Sequence, residues 1–221
     1  MKNLKTISAL FAALSMMFVA SLSQATTLSF DNITNNTGTD LSGQLSVVST
    51  SVTGGVEFKF TNDVGIASSI TDVYFDLGDN TSLFSSLSIV DQSSGVSFDL
   101  SPHPSDLPGG NTVGFTSDFG GDSTAPKTSE NGVNASGEYI TFLLTLGSGF
   151  NYNDYLADLM NGTFRIGMHI QAIAGINCED SSDEECGSDS YVSAVPVPAA
   201  AWLFGTALFG LFAASRRKNN S

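Results

Sequence analysis

Apolar and polar side chains alternate along the middle of the chain. Over residues 55–60, Val56, Phe58 and Phe60 share one face of an extended segment while Glu57 and Lys59 share the other, the period of a half-buried strand. Over 163–173 the pattern returns, with Phe164, Ile166, Met168 and Ile170 on one side and Arg165, His169 and Gln171 on the other. Residues 139–146 are richer in apolar side chains throughout, as for a strand covered on both faces. Further strands are predicted at 27–30, 45–50, 70–77, 84–90 and 95–100. Gly, Ser, Thr, Asn and Asp interrupt these segments at short intervals. The pattern predicts an all-β fold, a β-sandwich or jelly-roll-like domain.

One short helix interrupts the strands. Asn151 or Asn153 can cap it, Asp154 suits its positive end, Tyr155, Leu156, Leu159 and Met160 form an apolar stripe, and Asn161-Gly162 stops it. Residues 100–137 carry prolines and paired glycines that a central strand does not tolerate, so a long surface excursion is predicted there.

Both ends break the alternation. Lys2 and Lys5 precede an apolar run over 7–20, and Ser23-Gln24-Ala25 is a small-x-small site, so 1–25 reads as a secretory signal peptide cut between Ala25 and Thr26. At the other end, Val195-Pro196-Val197-Pro198 precedes an uncharged apolar run from Ala199 to Ala214, followed by Arg216, Arg217 and Lys218. The prolines disfavour helix in the residues before them, so a transmembrane helix is predicted over about 198–215 with a basic tail at 216–218. That is near the lower limit of the roughly 17 to 25 residues that span a bilayer. Trp202 suits one interface and the basic triplet holds the other on the cytoplasmic side. Residues 26–194 would then form one exported domain.

The order Val-Pro-x-Pro, short apolar helix and Arg-rich stop resembles the PEP-CTERM sorting signal of bacterial surface proteins handled by exosortases, which are membrane-embedded transpeptidase-like enzymes. The resemblance covers 195–221, and Val197 stands where the family name has an acid, so Val-Pro-Val-Pro is read as a variant. It implies a processing region at Val195, Pro196, Val197 and Pro198, and a stop at Arg216, Arg217 and Lys218. The secretion machinery and an exosortase are the implied partners, with a transient inner-membrane anchor. The destination is the cell surface or the extracellular polysaccharide matrix of a Gram-negative-type bacterium. The pieces Ile-Thr-Asp-Val-Tyr-Phe-Asp from Ile70 and Phe-Arg-Ile-Gly-Met-His-Ile-Gln from Phe164 also resemble an ectodomain type associated with such proteins, which implies no activity. The plainer reading of the tail is a single-span anchor.

Charge narrows the partners. All 22 acidic residues fall within 26–194 against Lys59, Lys127 and Arg165, which is 3 − 22 = −19 for the exported part. Such a surface repels nucleic acid and anionic lipid. Cys178 and Cys186 bracket a short acidic loop, and an oxidising compartment favours a disulfide between them. Asp180, Asp183 and Glu184, with Glu179, Glu185 and Asp189, form an acidic run that could hold Ca²⁺ weakly, although it lacks EF-hand spacing and such runs are usually solvated. Asp72, Asp76 and Asp79 are a fainter set. His103 and His169 have no neighbouring nucleophile motif, and there is no P-loop and no dinucleotide fingerprint. The reading is therefore a non-catalytic structural or adhesive protein without a cofactor. A carbohydrate- or calcium-binding module, its ligand on the 100–137 loop or the acidic loop, is the alternative and a hydrolase the third.

Overall fold

The computed structural model describes residues 24–101, 106–126, 128–174 and 187–194. Within them the chain is all-β, in two antiparallel sheets with few helices. Sheet A has five strands in the order β1 (Ala25–Leu28), β3 (Leu45–Val52), β4 (Gly55–Asn62), β9 (Tyr139–Leu146) and β6 (Phe84–Gln92). Sheet B has six, in the order β2 (Phe30–Asn32), β11 (Gly187–Ser193), β10 (Arg165–Ile173), β5 (Ser69–Asp76), β8 (Phe119–Ser123) and β7 (Phe98–Ser101).

The inward residues of both sheets meet in one core, which makes the pair a sandwich. Phe58 and Phe60 of β4 and Phe142 of β9 all lie against Phe75 of β5, with ring centroids 5.4, 6.1 and 6.0 Å apart and edge-on geometry. Edge-to-face pairing places the positive rim of one ring on the negative face of the next, adding about 0.5–1.5 kcal/mol per pair beyond burial. Ile166, Met168 and Ile170 are fully buried beside them, as the alternation over 163–173 predicts.

Residues 139–146 form a strand as predicted, β9, fourth in sheet A between β4 and β6, but not one covered on both faces: Ile140, Phe142 and Leu144 are buried in the core while Thr141 lines the outer side. The helix predicted from Asn151 is α2 (Tyr152–Asn161), one helical turn α1 (Thr128–Asn131) preceding it in the chain. Asn151 is its cap: the side chain accepts from the backbone N–H of Asn153, Asp154 reaches back to the Asn151 N–H at 2.8 Å, and Gly162 ends the helix at φ 78°. Tyr152, Tyr155 and Leu159 are buried, and Tyr155 stands edge-on to Phe58 and Phe164. Met160 is instead 45% exposed, because the helix lies over the sandwich with a stripe too narrow to include it.

Three expectations are corrected. Residues 27–30 are not one strand: the chain pairs with β3 up to Leu28, leaves sheet A at Ser29, and pairs with β11 from Phe30. The 100–137 segment is not a surface excursion, since β8 lies inside sheet B between β5 and β7, and Leu107, Phe115 and Val133 are buried. Glycine makes β8 possible: a Cβ on Gly121 would stand 2.7 Å from the Phe142 ring, so its missing side chain lets the two sheets approach. Finally, Asp189 is not part of a solvated acidic run. It lies in β11 and is 1% exposed.

Candidate functional site

Two outer faces and one sealed end carry the polar chemistry of the described residues. The sealed end is structural. Asp189 accepts hydrogen bonds from the hydroxyls of Thr34 and Thr37 and from the backbone N–H groups of Asn36 and Thr37. Burial works to raise its pKa, but these donors to the ionised form outweigh it and the net shift is downward. On the same face of β11, the Tyr191 hydroxyl accepts from the Leu41 N–H at 3.0 Å and from Asn32 at 3.1 Å. Together the two side chains fasten the loop after β2 across the end of the sandwich.

The outer face of sheet B is covered at one end. Leu107 and Phe115 fold onto Tyr74 and Val192 as a small second core. Gly167 makes room, because a Cβ there would lie 2.8 Å from Leu107 and 3.0 Å from Phe115. Arg165 closes the covering with Nη1 donating to the Val113 carbonyl at 2.8 Å, Nη2 donating to the Gly114 carbonyl, and both Nε and Nη2 on Asp76. Beyond this cover runs a cross-strand row of acids: Asp99 opposite Asp122, Asp122 opposite Asp72, and Asp72 opposite His169. His169 Nδ1 is 3.2 Å from Asp72 Oδ2. Desolvation first, then the charge of Asp72 and a hydrogen bond shared with it, push the Asp122 carboxyl above the usual range.

Among the described residues nothing lies over the outer face of sheet A, and a groove of about 550 Å³ crosses it. Val48 and Thr50 of β3 and Glu57 and Lys59 of β4 line one half, with Thr141 of β9 on the floor and Val90 and Asp91 of β6 on the far wall. A bulge sets that wall. Ile89 pairs with Phe142 and Asp91 with Thr141, leaving Val90 without a partner, so two consecutive side chains serve the groove where strict alternation would supply one. Two of the charged groups are held in place: Lys59 Nζ sits 3.8 Å from the centroid of the Tyr139 ring, and the Tyr139 hydroxyl donates to Asp91 Oδ2 at 2.9 Å. That bond to a carboxylate, with the carboxylate's charge, raises the phenol pKa. Donors, acceptors and apolar methyls thus alternate on one surface, an arrangement suited to binding.

The residues singled out in the sequence fall unevenly. Ala25 and Thr26 begin β1, opposite Thr50 and Ser49. Val195, Pro196, Val197, Pro198, Arg216, Arg217 and Lys218 lie outside the described residues, as do Cys178, Cys186, Asp180, Asp183, Glu184 and His103. The predicted transmembrane helix lies there too; among the described residues no helix is long and apolar enough to cross a membrane. Asp72, Asp76 and Asp79 are not gathered: Asp76 is spent on Arg165, Asp72 faces His169, and Asp79 is exposed. Among the described residues no group of three or more His, Cys, Asp or Glu side chains is placed to hold a metal ion. The sequence alone does not point to the groove on sheet A. Its signal was the pair Glu57 and Lys59 on the polar face of 55–60, which reads equally well as ordinary solvated surface.

No family model matches the chain, and no curated protein and no solved structure matches it significantly.

Proposed function

We propose that this is an exported surface or extracellular-matrix protein, sorted by an exosortase through its C-terminal signal, with a structural or adhesive role and no catalysis of its own. In this reading a jelly-roll-like sandwich lies between a signal peptide at 1–25 and a transmembrane sorting helix at about 198–215. The observation that carries it is the order of the tail: Val195-Pro196-Val197-Pro198, an uncharged apolar run, then Arg216-Arg217-Lys218. The acidic composition between the two apolar ends agrees with a domain that stays soluble by self-repulsion outside the cell. Intact mass of the protein recovered from the cell surface tests it. Loss of the tail after the Val195 to Pro198 region is expected, and retention of Arg216 to Ser221 would leave a plain anchor.

A binding module is the second reading, and the pre-set polar groove on sheet A favours its carbohydrate half. Its calcium half rests on Asp180, Asp183 and Glu184. A rise in melting temperature with Ca²⁺ that disappears in Asp183→Asn/Glu184→Gln is the result it requires.

A further inference from the structure

We propose that the groove across the outer face of sheet A is a binding site for an uncharged glycan chain, held by Glu57, Lys59 and Asp91 with Val48 and Val90 as its apolar contacts. The biological setting rests on the surface-protein reading above; the binding chemistry does not.

Shape comes first. The groove volume, about 550 Å³, falls within the roughly 300–1,000 Å³ of small-ligand sites. It runs across β3, β4, β9 and β6, which are neighbours in that order. At about 4.8 Å between strands its length is about 14 Å, suited to two or three linked sugar rings lying across the strands. Among the described residues neither end of the groove is blocked, so a linear polymer can enter and leave at both.

Its chemistry selects the ligand. A sugar presents hydroxyls that both donate and accept, together with C–H faces that are apolar. Glu57 and Asp91 accept, Lys59 donates, Thr50 and Thr141 do either, and the methyl groups of Val48 and Val90 meet the C–H faces. Charge-assisted hydrogen bonds of this kind are about twice as strong as neutral ones. Two carboxylates and one ammonium leave the groove net negative, in a domain that is itself strongly acidic, so uronic-acid polymers are repelled. A basic peptide is disfavoured as well, because Lys59 already occupies the Tyr139 face that a cation would seek.

Pre-organisation distinguishes this face from ordinary polar surface. Lys59 is held over Tyr139, Tyr139 is tied to Asp91, and the β6 bulge places Val90 and Asp91 side by side. Ordering these side chains before the ligand arrives removes part of the entropic cost of binding.

Affinity electrophoresis of the full chain in mild detergent tests the site, with gels containing soluble β-1,3-glucan, galactomannan, dextran or alginate. Retardation is expected in at least one neutral gel and not in alginate. Lys59→Met and Asp91→Asn should each weaken it about tenfold, Val90→Asp should abolish it, and Asp99→Asn on the opposite sheet should leave it unchanged. Val90 has no ladder partner and is 45% exposed, so its variant keeps the fold, which an unchanged melting temperature checks. No retardation in any neutral gel, retardation only in alginate, or equal retardation of wild type and the groove variants would each overturn the proposal. Tail processing, read by intact mass, stands or falls separately.

Discussion

Arg165 lies directly opposite Asp76 across β10 and β5, and both its Nε and its Nη2 bind the same carboxylate oxygen, Oδ2. The Asp76 side chain is 2% exposed and that of Arg165 is 20%. Asp76 also accepts from the backbone N–H groups of Gly78 and Thr116, while Arg165 holds the carbonyls of Val113 and Gly114 and rests on the Phe115 ring. One ion pair therefore joins two neighbouring strands to the segment that covers them.

Arg165→Met should consequently be far more damaging than a surface substitution. It leaves Asp76 buried without its partner, a change that costs about 3–5 kcal/mol in comparable pairs. Arg165→Lys should recover only part of the loss, because an ammonium cannot span the carboxylate and two carbonyls as the guanidinium does. Urea denaturation measures both. A loss under about 1 kcal/mol in Arg165→Met would mean the pair is not the fastening described.

Asp122 gives the opposite sign. Its folded pKa is raised, so the folded protein retains a proton that the unfolded chain releases; stability from this group is complete below the unfolded value, near 3.9, and is lost as pH rises through the folded value. Asp122→Asn should stabilise the protein at pH 7, by up to about 1 kcal/mol for a partly exposed group. The gain should vanish at pH 3. Melting temperature against pH for both proteins checks this, and a variant that is less stable at pH 7 would refute it.

Asp189 titrates the other way. Its pKa is lowered on folding, so its contribution is present above the unfolded value and disappears as pH falls through the folded one. Asp189→Asn should cost about 1–3 kcal/mol at pH 7, since the amide nitrogen cannot accept the bonds that Thr37 donates. The difference from wild type should shrink in acid. Equal differences at pH 7 and pH 3 in paired denaturation curves would contradict the assignment.

Gly167→Ala tests the covering of sheet B. The new methyl would press on Leu107 and Phe115, and overpacking of this kind costs about 1–3 kcal/mol. Limited proteolysis should also cut earlier within 106–118. Unchanged stability together with an unchanged digestion pattern would show that the segment yields freely.

The sequence is legible where one side chain decides one local outcome. Val56, Phe58 and Phe60 face the core because alternation is a property of the extended backbone itself. Asn151 caps its helix because the cap needs only its own next three residues. Asp189 and β8 escape local reading for the converse reason. Asp189 looks solvated until Thr34 and Thr37, over 150 positions earlier, are brought to it, and the glycines of β8 look like a loop until Phe142 occupies the space they leave.

The sequence by itself determined an all-β core, the position of the helix that Asn151 caps and the acidic balance, because each follows from short-range periodicity, capping or composition. Only the tertiary structure decided that the strand at 27–30 divides between two sheets, that Arg165 seals Asp76 beneath Phe115, and that Val90 joins Asp91 on the wall of a groove. These depend on register, on crossing from one sheet to the other and on a bulge. All three are settled by which distant strands lie side by side, and no window along the chain contains that information.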